Sequence, residues 1–320
     1  MLLVNPDSLY HFIYRKYHTD SRERKENHFF VEGEWDSSLG SEESYLQALG
    51  RDKEWVDRYV RGKWGLSDAQ IHTLREESIL QYDEMFLKEI LSKGNLFRVL
   101  DHGDSAPTCC LWFAAYKGVH ICYREYYVAG RLISFHRKSI HELSGNEQYS
   151  NDWADPSIAD KHSQKKGGFW SVRDEYMSED VEGPPLFWNL ADNNEFATRN
   201  RINELLAPSD RFKHPINGES GAPGLYFIQS SGGYPNGCRE SIKQLGAQRK
   251  ELLGTVEGKN VYSDDRDKNI PDHAYDPTRY YVAMHAVEPV VTRTPPPPRS
   301  FARFNKLIRK YNQIVAGSAA

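Results

Sequence analysis

An aspartate closes the apolar run Leu96–Leu100, just before the turn-forming residues that follow it. A charged carboxylate at the end of a buried strand is costly unless a cation or hydrogen-bond donors compensate it, so a metal ion is one explanation for Asp101. An aspartate that simply forms the turn at a strand end is the other explanation. This segment alone leaves both explanations open.

A second candidate, Asp155, directly precedes a proline. Pro156 favours extended backbone at the residue before it, which would let the carboxylate project beyond the end of a strand. Asp-Pro is also a common start of a turn, and on these residues alone the turn is the stronger interpretation.

A third stretch places two carboxylates and an imidazole at the start of the last predicted helix. In helical geometry Asp272, His273 and Asp276 would lie near one face, since positions three and four apart are neighbours. Pro277 suits the first position of a helix, which makes Asp276 a plausible N-cap as well as a plausible ligand.

Together, these carboxylates on separate elements match what two-metal hydrolysis of a phosphodiester requires. That chemistry needs hard oxygen ligands that hold two divalent ions about 4 Å apart. One ion activates a water molecule, and the other stabilises the leaving oxygen.

The composition allows a globular protein with a sizeable core. The chain has 320 residues, of which 39% are hydrophobic, and a formal net charge of −4. Because the overall charge is slightly negative, binding to nucleic acid would need a local basic surface. The four cysteines lack the spacing of a zinc or thioredoxin-like site, so buried, reduced thiols are expected. No run approaches the roughly 20 apolar residues of a membrane span.

The pattern of apolar residues predicts a mixed α/β sheet that helices cover on both faces. The runs 108–115 and 119–128, joined by a turn at Tyr116-Lys117-Gly118, predict an antiparallel hairpin, and the run 96–100 predicts the neighbouring strand. A further buried strand is predicted at 224–228. Predicted helices span 78–92, 132–143, 239–245 and 277–287.

Three segments fall outside this pattern. Residues 1–93 are polar and look helical, and their last helix leads into the first strand. The stretch 160–190 is rich in Lys, Gly, Pro and acids, which predicts a long loop or insertion. The tail opens with the stiff segment Pro295–Pro298 and is then basic, so it is either a solvated tail or one that docks or binds DNA.

Several segments in a row resemble the large terminase subunit of tailed bacteriophages, in matching order over roughly residues 50–290. Residues 54–65 resemble the family's stretch between motor and nuclease. Residues 100–103 with 105–108 resemble its first nuclease strand and hairpin, and 123–127 resemble the return of that hairpin. Residues 154–157 resemble its second acidic site, and 272–276 with 279–280 resemble its third acidic site.

The resemblance implies an RNase H-like nuclease domain over residues 94–292. Residues 1–93 would be a helical segment corresponding to the end of the terminase motor and its linker, and 293–320 a proline-rich and then basic tail. The phosphate-binding loop of an ATPase is missing, because Gly62-Lys63 is followed by Trp64 and Gly258-Lys259 by Asn260. ATP hydrolysis by that route is therefore not expected.

Carried over by position, the resemblance implies that Asp101, Asp155 and Asp276 are the catalytic, metal-binding carboxylates of a site for two divalent ions, Mg²⁺ or Mn²⁺. His273 would be a further ligand or a proton carrier, and its imidazole favours Mn²⁺ over Mg²⁺. Pro277 stands where the family usually has a small helix former, so Asp272 remains an alternative to Asp276. The register of the motif favours Asp276.

The function that the resemblance implies is an endonuclease that cuts concatemeric double-stranded viral DNA during genome packaging. It would act in the cytoplasm of the bacterial host, transiently at the procapsid portal, with the small terminase subunit and the portal protein as partners. A non-catalytic packaging or portal-docking module and an RNase H-like junction resolvase are the alternatives. Five basic residues are predicted to contact the DNA backbone: Lys165, Lys166, Lys243, Arg249 and Lys250.

Overall fold

The computed structural model describes residues 69–165, 168–230, 237–256 and 259–285. The chain divides into two compact units, Met1–Met284 and His285–Ala320, and the account below concerns the first. Its strands are β1 (Ile79–Gln81), β2 (Asn95–Asp101), β3 (Pro107–Tyr116), β4 (Val119–Ala129), β5 (Tyr149–Ala154), β6 (Lys161–Lys165), β7 (Gly168–Ser171), β8 (Asn189–Leu190), β9 (Ser209–Lys213), β10 (Ser220–Ala222), β11 (Leu225–Gln229), β12 (Lys250–Val256) and β13 (Lys259–Arg266). Its α-helices are α1 (Glu84–Lys93), α2 (Ile133–Ser144), α3 (Val172–Met177), α4 (Glu195–Leu206), α5 (Arg239–Ala247) and α6 (Tyr275–Met284).

A seven-stranded sheet in the order β1-β11-β4-β3-β2-β5-β8 forms the centre of the unit. The neighbours β2, β3 and β4 run antiparallel, whereas β5 is parallel to β2 and β8 is parallel to β5. On the other side β11 is parallel to β4, and β1 is parallel to β11. The predicted mixed α/β class is confirmed, and so are the predicted strands at 96–100, 108–115, 119–128 and 224–228.

The turn between β3 and β4 follows the chemistry of a two-residue hairpin. Lys117 and Gly118 both have positive φ, at 51° and 81°. Two left-handed residues match the twist of the flanking strands, which explains why this connection is so short.

Helices cover both faces of the sheet, and aromatic side chains fix the helix on the face that carries the candidate site. Tyr281 of α6 stacks on Phe113 of β3, with ring centroids 3.9 Å apart, and meets Phe97 of β2 edge-on. On the opposite face, Ser144 at the end of α2 accepts hydrogen bonds from Trp112 and Arg98. The core of β3 is consequently shielded from water on both sides.

The segments 78–92 and 160–190 differ from their predictions. The predicted helix 78–92 begins only at Glu84, because Asp83 caps it by accepting the N–H of Phe86 at 2.6 Å, and Ile79–Gln81 instead form an edge strand of the sheet. The stretch 160–190 is not a loop: it contains the hairpin β6–β7, helix α3 and strand β8.

Helix α3 has a physical reason to form in that polar stretch. Ser171 and Asp174 make a reciprocal capping box at its N-terminus. The buried guanidinium of Arg137 donates to four backbone carbonyls around its C-terminal end, those of Glu175, Ser178, Gly183 and Pro184.

The last helix also differs from its prediction, since it begins at Tyr275 and ends at Met284 instead of spanning 277–287. Helix α4 and the small sheets β9–β10 and β12–β13 were not predicted. The domain boundaries stay predictions, because residues 1–68 and the tail from 286 lie outside the described residues.

All four cysteines are free and buried, as the sequence predicted. Among the described residues, no helix is long and apolar enough to cross a membrane.

Candidate active site

The first two candidate carboxylates emerge side by side from neighbouring strands. Asp101 is the last residue of β2, and Asp155 follows the last residue of β5. The two strands are parallel, and the N–H of Asp155 donates to the carbonyl of Leu100 at 3.0 Å. The backbone therefore places both residues at the same edge of the sheet.

Asp101 is buried with little compensation for a negative charge, since only 9% of the residue is exposed. Burial raises the pKa of its carboxyl, a hydrogen bond with His273 lowers it, and the charges of Asp155 and Asp272 raise it again. In the part of the chain that the structure describes, no arginine or lysine pairs with this carboxylate. A cation brought to this point would therefore be stabilised.

The turn after Asp101 is held close to the strand that follows it. Thr108 accepts the N–H of Gly103 and donates to the carbonyl of the same glycine. A Cβ atom at Gly103 would lie 2.5 Å from the carbonyl oxygen of Ala106, so the turn requires glycine. This close return orients the end of β2.

Each oxygen of Asp155 accepts one hydrogen bond. Oδ1 accepts the N–H of Ser157 at 2.7 Å and so caps the short 3-10 helix Pro156–Ala159. Oδ2 accepts the hydroxyl of Tyr280 at 2.6 Å. The turn expected from Asp-Pro is present, and the same carboxylate also faces helix α6.

Asp276 is the second residue of α6, so the interpretation as an N-cap is wrong. Its Oδ1 accepts from Nε of Arg279 at 3.1 Å, and Arg279 also donates to Oδ1 of Asn193 at 2.6 Å. Burial raises the pKa of Asp276 to about 6 although Arg279 opposes that shift. Pro277 is tolerated as the third helical residue, because N–H groups of the first turn have no partner within the helix.

Asp272 and His273 complete the cluster just before α6. Nη1 of Arg266, at the end of β13, lies 2.7 Å from Oδ2 of Asp272. Nδ1 of His273 lies 3.5 Å from Oδ2 of Asp101 and 3.9 Å from Oδ1 of Asp272. The hydrogen bond with Asp101 raises the pKa of His273, so the protonated imidazole is favoured between these two carboxylates.

The donors around this cluster fit a hard divalent ion in kind, because carboxylate oxygens and one imidazole are ligands that Mg²⁺ and Mn²⁺ accept. Within the described ranges, however, no three His, Cys, Asp or Glu side chains stand close enough to hold one ion together. Asp272 and Asp276 are instead paired with Arg266 and Arg279. An ion shared with either of these two carboxylates therefore requires rotation of that side chain.

Sequence reasoning found the carboxylates but missed the groups that orient them. Arg279 and Tyr280 had served only to fix the register of the motif, and nothing had pointed to Arg266 or Asn193. The position of Tyr280, four residues after Asp276 on the same helix, was the one available signal.

Three of the five predicted DNA-contacting residues can be placed. Lys243 and Arg249 are exposed and Lys250 is half-buried. Lys250 pairs with Arg266 across β12 and β13, and Gln248 donates to the carbonyl of Pro271 at 2.9 Å, so this basic segment adjoins the chain that leads into α6. The side chain of Lys165 and all of Lys166 lie outside the described residues.

No known family profile matches the sequence, and no curated protein matches it. Solved structures do match. The large terminase of a thermophilic bacteriophage aligns at 16% identity and a TM-score of 0.45, over 88% of this chain and 60% of that protein. The chain is similar to phage large terminases.

Two terminase nuclease domains match as well. That of the P22 large terminase aligns at 14% identity and a TM-score of 0.43, over 68% of this chain and 93% of the domain. The nuclease domain of the bacteriophage SPP1 large terminase, solved with bound Mn, aligns at 11% identity and a TM-score of 0.40. The alignment covers 66% of this chain and 99% of that domain. The chain thus spans about 60% of the full-length terminase.

Proposed function

We propose that this chain is a metal-dependent DNA endonuclease that hydrolyses phosphodiester bonds at the cluster of Asp101, Asp155 and Asp276. The observation that supports this most is the juxtaposition of Asp101 and Asp155 at the ends of adjacent parallel strands. Among the described residues, an imidazole is the one basic group that pairs with the buried carboxylate of Asp101, and a bound divalent cation would offset the cost of burying that charge.

Asp101, Asp155 and Asp276 would hold two divalent ions, Mg²⁺ or Mn²⁺. Bound ions of this kind activate water and stabilise the charge on the leaving oxygen. Asp272 is the alternative third carboxylate, since the imidazole that contacts Asp101 also lies 3.9 Å from Oδ1 of Asp272.

His273 would hold and move a proton. Its Nδ1 faces Asp101, and 32% of its side chain is exposed to solvent. A partly exposed imidazole whose pKa is raised by a carboxylate can exchange protons with water while remaining next to the reacting groups.

The substrate that we propose is the backbone of double-stranded DNA. The basic segment of Lys243, Arg249 and Lys250 adjoins the cluster, and it would act together with Lys165 and Lys166 on phosphates without reading bases. Cleavage of concatemeric viral DNA during packaging, with a small terminase subunit and a portal protein as partners, is the role that the resemblance to large terminases implies.

Digestion of a supercoiled plasmid tests the function. The unaltered chain should convert it to nicked and linear forms with Mn²⁺ or Mg²⁺ and leave it intact with a chelator, while Asp101→Asn should be inactive throughout. Absence of cleavage with either metal, or cleavage that persists with Asp101→Asn, would contradict the proposal. A strong preference for branched over linear DNA would instead indicate a junction resolvase.

A further inference from the structure

A tyrosine hydroxyl of the last helix reaches the second candidate carboxylate. Tyr280 donates to Oδ2 of Asp155 at 2.6 Å, while the N–H of Ser157 occupies Oδ1 at 2.7 Å. With one donor on each oxygen, the carboxylate cannot rotate freely. Each oxygen still has a second acceptor direction available, because an ionised carboxylate offers about four lone-pair sites.

Tyr280 is itself fixed in place. The residue is 1% exposed, and the guanidinium carbon of Arg279 lies 4.9 Å from the centroid of its ring. The Tyr280 hydroxyl lies 2.6 Å from Oδ2 of Asp155, and because an ionised carboxylate only accepts hydrogen bonds, the hydroxyl is the donor.

The hydrogen bond from Tyr280 to Asp155 connects two elements that are far apart in sequence. Asp155 follows β5, whereas Tyr280 lies on α6, which Tyr281 anchors to the sheet by stacking on Phe113. The orientation of the Asp155 carboxylate thus depends on correct docking of the helix that also carries Asp276.

We propose that Tyr280 is a positioning residue, whose hydroxyl orients the carboxylate of Asp155 for a divalent cation and thereby sets the affinity of the site for metal. This inference rests on the proposed function. Hydrogen-bond partners of metal-ligating groups typically change metal affinity by roughly 10–100-fold when they are removed. Tyr280 contacts neither metal nor substrate in this scheme and acts through Asp155.

The test compares two substitutions that each remove one buried hydroxyl from adjacent residues of α6. Tyr280→Phe removes the donor to Asp155. Tyr281→Phe is the matched control, because its hydroxyl lies 2.9 Å from Nδ1 of His120, another residue of the core. The readout is the dissociation constant of Mn²⁺ for the full chain without DNA, measured by the electron paramagnetic resonance signal of free Mn²⁺.

We expect Tyr280→Phe to bind Mn²⁺ at least about 10-fold more weakly, and Tyr281→Phe to bind it as the unaltered chain does. Unchanged affinity in Tyr280→Phe, or an equal loss in both variants, would overturn the positioning role while leaving the nuclease proposal intact. If the unaltered chain binds no Mn²⁺ and cuts no plasmid, both proposals fail together.

Discussion

Nδ1 of His273 lies 3.5 Å from Oδ2 of Asp101, and among the described residues this imidazole is the one basic group within ion-pair distance of that carboxylate. A single, partly exposed imidazole offsets little of the cost of burying Asp101. The arrangement leads to a direct prediction for the site.

Asp101→Asn should abolish cleavage while leaving the fold intact. Loss of a ligand should reduce the rate by more than the roughly 100-fold that partners of metal ligands alone can cost. Thermal stability should be unchanged or higher at neutral pH, because Asp155 and Asp272 repel the charge that the substitution removes. Asp104→Asn is the control, since it changes an exposed carboxylate in the same turn. An active Asp101→Asn enzyme would remove this residue from the mechanism.

Asp276→Asn should lose most of its activity, whereas Asp272→Asn should retain a measurable part. Burial raises the pKa of Asp276 to about 6 even with Arg279 beside it, which indicates a negative charge that its surroundings do not fully compensate. Asp272 already has Arg266 at 2.7 Å. Rates of plasmid nicking for the two variants decide between them, and the reverse result would assign the third ligand position to Asp272.

Neutralising the proposed DNA-binding residues should lower the salt dependence of DNA binding. For each phosphate that the protein no longer neutralises, the slope of log affinity against log salt should become shallower by about 0.9. Glutamine at Lys165, Lys166, Lys243, Arg249 and Lys250 is to be compared with glutamine at Lys88, an exposed lysine of α1. If the slope of log affinity against log salt does not change after all five substitutions, the DNA binds at a different surface.

Stability should fall as the pH drops below about 6.5, in part because of His72. Burial lowers the pKa of this imidazole from 6.5 to about 4. Its nitrogens lie 2.8 Å from Oδ1 of Asn203 and 3.0 Å from the hydroxyl of Tyr275. Between these two pKa values, the imidazole is protonated in the unfolded chain and neutral in the folded chain. The stabilisation from neutral His72 is therefore complete above pH 6.5 and is lost as the pH falls to about 4. The gap between the two values corresponds to roughly 3 kcal/mol.

Urea unfolding of His72→Gln across this pH range measures the effect. The stability difference between the unaltered chain and His72→Gln should shrink as the pH falls. His141→Gln, an exposed histidine of α2, should run parallel to the unaltered chain. A constant difference for His72→Gln would mean that this imidazole does not drive the acid sensitivity.

Arg137→Met should destabilise the segment around α3. Methionine fills much of the same space but leaves four backbone carbonyls without their donor, which should cost roughly 2–4 kcal/mol. Limited proteolysis should then cut preferentially between Val172 and Leu190. Lys138→Met alters the exposed neighbour of Arg137 and should leave the digestion pattern unchanged.

The sequence identified the central strands because their signal is strong and local. β2, β3 and β4 are continuous apolar runs, and a turn with two left-handed residues links the last two. The sequence pattern does not predict β8 or the hairpin β12–β13, because these strands are short or polar. Their formation depends on neighbours that are distant in sequence. The three residues of β1 are too few to show a period of their own, so the spacing over 78–92 predicts helix there.

The candidate site was predictable to a similar degree. Carboxylates at strand ends are visible in a sequence, since an acid that closes an apolar run stands out. The partners are not visible: Arg266 meets Asp272, and Asn193 meets Arg279, only because β13 and the start of α4 fold against α6. Sequence spacing also suggested that Pro277 begins a helix, whereas the structure continues the helix two residues further towards the N-terminus.

Because the cluster is divided between β2, β5 and α6, its residues are synthesised at different times during translation. A ribosome that has passed β5 has already made Asp101 and Asp155, yet it must add more than a hundred residues before His273, Asp276 and Tyr280 exist. Until α6 docks on Phe97 and Phe113, Asp101 has no imidazole beside it and Asp155 has no tyrosine hydroxyl on its Oδ2. If the cluster cleaves DNA as we propose, a nascent chain without α6 is harmless to the nucleic acids around it, and α6, the last helix of the described residues, completes the site.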